Sequence, residues 1–266
     1  MLFSTDYLEQ FSRHVRLPNF GIEGQKKIAA ARIFIAGAGG LGSAALTYLA
    51  PIGLKKIGLI DSDTVEISNL PRQIIHDQTK IGQLKVTSAG ERIKQLNPTL
   101  ELALHSERLK AVNILEIIKE YDVVLDGTDN FASKYLLNDA CVISGIPLVH
   151  AGVLRFSGQV MTIQPGRSAC YRCVFREPPS PGAVPTCSEA GILNTAAGIV
   201  GLIQATEAIK LITGLGDLLT NQLLVFDALS MKFRNVEIKP DPDCPVCGQN
   251  PTIKTVEDLK MVEGQN

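Results

Sequence analysis

The apolar run Ile33-Phe34-Ile35-Ala36 empties directly into Gly37-Ala38-Gly39-Gly40-Leu41-Gly42. This junction constrains the fold more than any other feature of the chain. A short strand must end there in a turn too tight for side chains, and a helix must leave from the turn. Gly37, Gly39 and Gly42 keep the G-x-G-x-x-G spacing, and glycine lets the backbone turn sharply and approach a ligand with no Cβ in the way. A helix from about Ser43 aims unpaired N–H groups and a positive dipole end at the turn, which makes it a phosphate site. Asp61 closes a second apolar run, at about the offset expected of an acid that grips a ribose hydroxyl. The pattern predicts an adenine-nucleotide site. It leaves NAD, FAD, S-adenosylmethionine and ATP open.

The rest of the first half repeats the same grammar. Residues 7–31 read as amphipathic helix with a break at Pro18-Asn19-Phe20-Gly21. Strands are predicted over 32–36, 56–60, 100–105, 122–126 and 147–151, with helices between them over 80–96, 112–119 and 130–144. Such alternation predicts an α/β fold, a Rossmann-like doubly wound sheet that is parallel through its first half. After residue 151 the pattern changes. Residues 158–164 read as a strand with no crossover helix before it, and 222–226 and 232–238 as a pair of strands, so the second half of the sheet is expected to be mixed or antiparallel. A long helix with a small-residue face is predicted over 193–212. Residues 176–185 are proline-rich and read as an exposed loop. The chain is expected to form one domain over 1–250, with a nucleotide-binding half over about 30–151 and a second half over about 152–250. Residues 251–266 are expected to be a flexible tail.

Composition excludes several classes. The 266 residues carry a formal net charge of -1, so no global field draws in nucleic acid. No apolar stretch reaches the roughly 18 residues of a membrane helix, and the N-terminus lacks the basic and apolar regions of a signal peptide. A cytoplasmic protein that binds neither nucleic acid nor membrane is expected. Four of the six cysteines fall in two C-x-x-C pairs, Cys170/Cys173 and Cys244/Cys247. Without an export signal, that spacing favours a closed, structural Cys₄ zinc site over disulfides. Two unrelated pairs or one labile disulfide are the plain alternatives. Cys141 reads as a core residue, and Cys187, at the end of the proline-rich loop, as an exposed thiol.

Three polar clusters carry more than a dinucleotide site needs. After Asp61 comes Ser68-Asn69-Leu70-Pro71-Arg72-Gln73, in which Arg72 is suited to clamp phosphate oxygens. Lys85 stands at a helix start, where its charge opposes the dipole unless an anion lies nearby; a solvated surface lysine is the alternative. Asp129 and Asn130 follow a buried strand, at the carboxyl edge of the sheet where open α/β folds bind ligands. Asp129 is suited to Mg²⁺ or to capping the next helix.

Taken in order, G-A-G-G-L-G-S, D-S-D-T-V-E-I-S-N-L-P-R-Q, G-Q-L-K, D-G-T-D-N, C-Y-R-C, T-C-S-E-A-G and C-P-V-C-G resemble the ThiF/MoeB/HesA family, bacterial relatives of ubiquitin-activating enzymes. The resemblance runs from about Tyr7 to Gly248 and looks nearest to the molybdopterin-synthase type. It implies an adenylyltransferase that uses ATP and Mg²⁺ to activate the C-terminal glycine of a small ubiquitin-like sulfur-carrier protein ending in Gly-Gly. It implies ATP contacts at Gly40, Asp61, Ser68, Asn69, Leu70, Pro71, Arg72, Lys85, Asp129 and Asn130. It implies that Arg13 is lent to the neighbouring site of a homodimer, and that a thiol at Cys187 can attack the activated carrier. The rhodanese domain of longer relatives is not expected. The reaction implied needs no nucleophile from the enzyme, because the carrier's own carboxylate attacks the α-phosphate. Arg13, Arg72, Lys85 and Mg²⁺ on Asp129 would steady the growing charge. Two competing readings are an NAD(P)-dependent oxidoreductase, which leaves Arg72, Lys85, Asp129 and both cysteine pairs unexplained, and a non-catalytic carrier-docking module.

Overall fold

The computed structural model describes residues 3–180, 182–255 and 257–259. The apolar runs form β1 (Arg32–Ala36), β2 (Lys56–Ile60), β3 (Glu101–His105), β4 (Val123–Asp126) and β5 (Leu148–Leu154). Three more strands follow, β6 (Ser157–Ile163), β7 (Gln222–Asp227) and β8 (Lys232–Glu237). All eight join one sheet in the order β3-β2-β1-β4-β5-β6-β7-β8. β3, β2, β1, β4 and β5 run parallel, and every pairing from β5 to β8 is antiparallel. The two halves of the sheet are those expected from the sequence. Strand order reverses beside β1, which pairs β2 on one side and β4 on the other. That places the carboxyl ends of β1 and β4 at the switch point where open α/β sheets bind ligands.

Helices cover both faces. One core gathers Ile33, Ile35, Leu59 and Leu125 of the sheet with Leu46 and Leu49 of helix Gly40–Leu49 and Val200 and Ala208 of helix Asn194–Thr213. The two helices approach closely because of Gly201, where a Cβ would stand 2.4 Å from the Leu41 carbonyl oxygen. The other core joins Phe34, Val124 and Leu148 to Leu137 and Cys141 of helix Phe131–Ser144. Cys141 is the core residue expected, its thiol pushed far up by burial. In the segment beyond the second cysteine pair, Ile253 and Leu259 are buried in this same core; residues 256 and 260–266 lie outside the described residues.

Some elements depart from the sequence reading. Helix Asn194–Thr213 is long and apolar enough to cross a membrane, so the expectation that no segment has that character needs correcting. Its partners here are protein. Gln204 donates to the carbonyls of Asp126 and Val149, both at 2.9 Å, and Glu207 accepts from the Thr162 hydroxyl at 2.5 Å. The helix expected over 80–96 is a 3-10 turn, Gln78–Lys80, followed by helix Lys85–Leu96. Gly82 at φ +85° breaks the run. The first segment breaks into Thr5–Gln10, Ser12–Val15 and Gly21–Ala30, with Asn19 at φ 64° marking the expected break.

Candidate nucleotide-binding site

The glycine turn is shaped by contacts that tolerate no side chain. Gly37 has φ +97°, and a Cβ there would lie 2.7 Å from the Gly127 carbonyl oxygen. A Cβ on Gly42 would lie 1.9 Å from the Gly37 oxygen. The turn is held from two sides. Asp61 Oδ2 accepts the Ala38 N–H at 2.8 Å, while its Oδ1 accepts the Asp63 N–H at 2.9 Å. Burial pushes the Asp61 carboxyl up, against the opposing pull of Lys85 and these two N–H groups. On the other side, His76 Nε2 lies 3.2 Å from the Ala38 carbonyl oxygen and Nδ1 lies 2.8 Å from Ser88 Oγ. A carbonyl only accepts, so Nε2 carries the proton and Nδ1 accepts from the hydroxyl.

A crevice of about 930 Å³ opens above this turn and continues past the ends of β4 and β5 to the β5–β6 hairpin at Gly152 and Gly158. Gly37, Gly39, Gly40, Asp61, Arg72, Lys85, Asp129 and Asn130 all line it. Lys85 starts its helix, as the sequence suggested, and finds the anion its position calls for. Its ammonium lies 2.9 Å from Asp63 Oδ2, with the lysine side chain 8% exposed and the Asp63 side chain 62% exposed. Arg72 is half-buried and donates to the Ser68 carbonyl at 2.9 Å. Gly42, Ser68, Asn69, Leu70 and Pro71 do not line the crevice. Gly42 seats the helix on the turn. Asn69 is buried and closes a capping box with Glu66 around the 3-10 turn Ile67–Asn69. The Pro71 carbonyl accepts from Asn194 at 3.1 Å.

Asp129 is exposed and has no protein partner among the described residues. It does not cap the following helix; Asn130 does, its Oδ1 accepting the Ser133 N–H at 2.8 Å. Beneath this turn lies a buried network that the sequence reading missed. Asp126 Oδ1 accepts the Thr128 N–H at 3.0 Å and the Thr128 hydroxyl at 2.6 Å. Its Oδ2 meets His150 Nδ1 at 2.8 Å and the Lys134 ammonium at 3.2 Å. Burial alone would raise the Asp126 carboxyl. Lys134, then His150 and Thr128, outweigh it and hold the group well below the usual carboxylate range. The signal was present in the register, which pairs Asp126 with His150 across β4 and β5, but register is not readable from one chain.

Both cysteine pairs converge. The four sulfurs of Cys170, Cys173, Cys244 and Cys247 lie within 4.8 Å of one another, with Cys170 to Cys244 at 3.6 Å and Cys173 to Cys247 at 3.3 Å. Thiolates around one tetrahedral metal at about 2.3 Å stand roughly 3.8 Å apart, so the donor set fits a closed metal site. The first pair is fastened to helix Phe131–Ser144. Arg172 donates Nε and Nη2 to the two oxygens of buried Asp139 at 2.8 and 2.7 Å, and Asn138 accepts the Tyr171 N–H at 2.8 Å.

One residue singled out by sequence stands apart from the crevice. Arg13 is exposed on helix Ser12–Val15 and does not line the crevice of its own chain. Cys187 opens helix Cys187–Ala190, but its side chain lies outside the described residues.

Comparison with known proteins agrees with this geometry. The model of the ThiF family matches residues 11–246. The chain is 40% identical over 269 residues to the sulfur carrier protein adenylyltransferase of Thermus thermophilus, covering 99% of each. It is 43% identical over 259 residues to the adenylyltransferase and sulfurtransferase MOCS3-2 of Zea mays, covering 97% of this chain and 54% of that protein. The chain thus spans about half the length of the maize relative. Among solved structures, E. coli MccB with MccA-N7isoASN shares the fold at a TM-score of 0.81 and 21% identity, covering 90% of this chain and 75% of that one.

Proposed function

This chain is a member of the ThiF family, and we propose that it adenylates the C-terminal glycine of a small ubiquitin-like sulfur-carrier protein, consuming ATP and releasing pyrophosphate. The observation that carries this reading is one continuous crevice. It joins a phosphate-binding turn, Arg72, Lys85 and Asp129 to a further stretch along the β5–β6 hairpin, which is room for a second substrate in line with the first. The Thermus relative is named for this activity and matches end to end.

The chemistry asks for positioning and charge. The carrier's carboxylate is already ionised at neutral pH, so its oxygen attacks the α-phosphorus with no base to help. The bond from the α-phosphorus to the bridging oxygen breaks, and pyrophosphate leaves. An anion must be brought to a polyanion. The N–H groups of the glycine turn, the Lys85 ammonium and the Arg72 guanidinium supply fixed positive charge where negative charge spreads. Asp129, an oxygen donor with no protein partner among the described residues, fits Mg²⁺, which when bound would neutralise phosphate charge. The four cysteines fit a structural Zn²⁺ that ties the segment after the sheet to the C-terminal end.

Arg13 serves the neighbouring crevice in a homodimer. The support is its exposure and its absence from its own crevice. Mixing inactive Arg13→Ala chains with inactive Lys85→Ala chains restores part of the activity if this is so, because each mixed dimer then holds one site with neither defect and one with both. No recovery, with subunit exchange demonstrated, removes Arg13 from the partner's site.

The reaction is tested by incubating the protein with ATP, Mg²⁺ and a carrier ending in Gly-Gly and reading the carrier's mass. A carrier that gains one adenylyl group, and does not when its last glycine is deleted, meets the proposal. An unmodified carrier, with ATP bound, rejects it.

A further inference from the structure

Lys134 lines the crevice, yet its side chain is only 9% exposed. Its ammonium donates to the carbonyls of Thr128 at 2.8 Å and Ala151 at 2.7 Å, and to Asp126 Oδ2 at 3.2 Å. An ammonium has three donors, so all are spent on the protein and none remains for a phosphate. The three acceptors come from three places: the end of β4, the turn that follows it, and β5. Lys134 is therefore the point where the turn over residues 127–130 is fastened to the sheet.

That turn carries Asp129, whose exposed carboxylate holds on to nothing among the described residues. Its place is set entirely by its neighbours. The Thr128 bonds to Asp126 fix one side, and the Asn130 cap fixes the other. Lys134 bonds the Thr128 carbonyl directly before Asp129 and at the same time neutralises Asp126 beneath it. His150 Nδ1 shares the Asp126 oxygen that Lys134 uses, and so keeps that oxygen in place.

We propose that Lys134 is a positioning residue for Asp129: it anchors the 127–130 turn so that the Asp129 carboxylate meets the metal of a metal–nucleotide complex in the crevice. This rests on the nucleotide-site reading above. Groups that orient a metal ligand change metal affinity by about 10- to 100-fold when removed, whereas a cation that touched phosphate would change nucleotide affinity with or without metal.

The test measures ATP binding to the full chain across a Mg²⁺ titration, with ATP itself as the probe, in wild type, Lys134→Met, Lys134→Arg and Asp129→Asn. Lys134→Met is expected to raise the Mg²⁺ needed for half-maximal ATP binding roughly 10-fold and to leave metal-free ATP binding unchanged. Lys134→Arg recovers most of the shift, and adding Lys134→Met to Asp129→Asn shifts nothing further. If Lys134→Met fails to fold because Asp126 is left buried and unpaired, Lys134→Met with Asp126→Asn removes both charges and is read the same way. A Mg²⁺ requirement equal to wild type overturns the proposal, as does an equal loss of ATP binding with and without Mg²⁺. No carrier is needed for this measurement. A wild-type protein that binds ATP with Mg²⁺ but forms no carrier adenylate rejects the function above and leaves this proposal standing.

Discussion

The Lys85 ammonium lies 2.9 Å from Asp63 Oδ2, a buried lysine held by a carboxylate that is mostly in water. The pair resolves the unfavourable placement of a cation at a helix start and aims the charge into the crevice. Lys85→Ala is expected to slow adenylation by about 10²- to 10³-fold, the loss typical of one preorganised donor, on the order of 3 kcal/mol. ATP binding should weaken far less. Near-normal turnover in single-turnover assays removes Lys85 from the reacting centre.

Gly42 admits nothing larger. A Cβ there would sit 1.9 Å from the Gly37 carbonyl oxygen, well inside contact distance and against backbone that cannot yield. Gly42→Ala is expected to displace the turn, weaken ATP binding at least tenfold and lower the melting temperature. Gly166→Ala is the control for ATP binding, because Gly166 lies away from the crevice with open space around it; its φ of +73° costs stability there too, by about 1 kcal/mol or more, without touching the turn. If both variants bind ATP like wild type, the turn is not the phosphate site.

The first half of the fold was legible because short apolar runs between Gly, Asn and Pro signals leave little choice but parallel strands with crossover helices. The glycine turn, Asp61 and Lys85 were legible for a local reason, since each sits at an element boundary that the sequence marks. The Asp126, Lys134 and His150 network was not. Its members are 8 to 24 residues apart and meet only through the β4–β5 register. Arg172 with Asp139 was hidden in the same way, in a helix whose buried polar residues look like an ordinary amphipathic pattern. The cap of helix Phe131–Ser144 fell to Asn130 rather than Asp129, a one-residue boundary that spacing alone does not settle.

The Cys₄ cluster predicts one tightly held zinc per chain. Its four sulfurs are contributed by segments more than seventy residues apart, Cys170 to Cys244 and Cys173 to Cys247, so the metal would join two distant parts of the second core. Cys244→Ser is expected to lower the melting temperature markedly and to abolish zinc retention while leaving no change in the pH profile of turnover. Elemental analysis that finds no zinc in protein purified without chelator refutes the site.

Stability should fall on acidification. Burial dominates at His150 and His76 and pushes both below the ordinary imidazole value. The unfolded chain therefore takes up protons below about pH 6.5 that the folded chain refuses, and stability rises with pH across that window. Asp126 adds a second loss. Its folded value is depressed, so its contribution is complete above the ordinary carboxylate pKa of about 3.9 and disappears as pH falls below it. Asp61 has the opposite sign, since burial raises it and acid relieves that cost. The net expectation is a melting temperature that declines from pH 7 to pH 5 and more steeply below pH 4. In NMR titration the His150 ring should half-protonate below the ordinary imidazole value of about 6.5; half-protonation at or above that value in the folded protein contradicts the burial argument.

The most direct measurement is pyrophosphate exchange into ATP, which reads reversible attack at the α-phosphorus. The protein is supplied with ATP, Mg²⁺, labelled pyrophosphate and a carrier ending in Gly-Gly. Label is expected in ATP only when the carrier is present, with its terminal glycine intact, and is expected to be lost in Lys85→Ala. Exchange that proceeds equally without a carrier, or no exchange by a folded protein that binds both ATP and carrier, contradicts the proposed reaction.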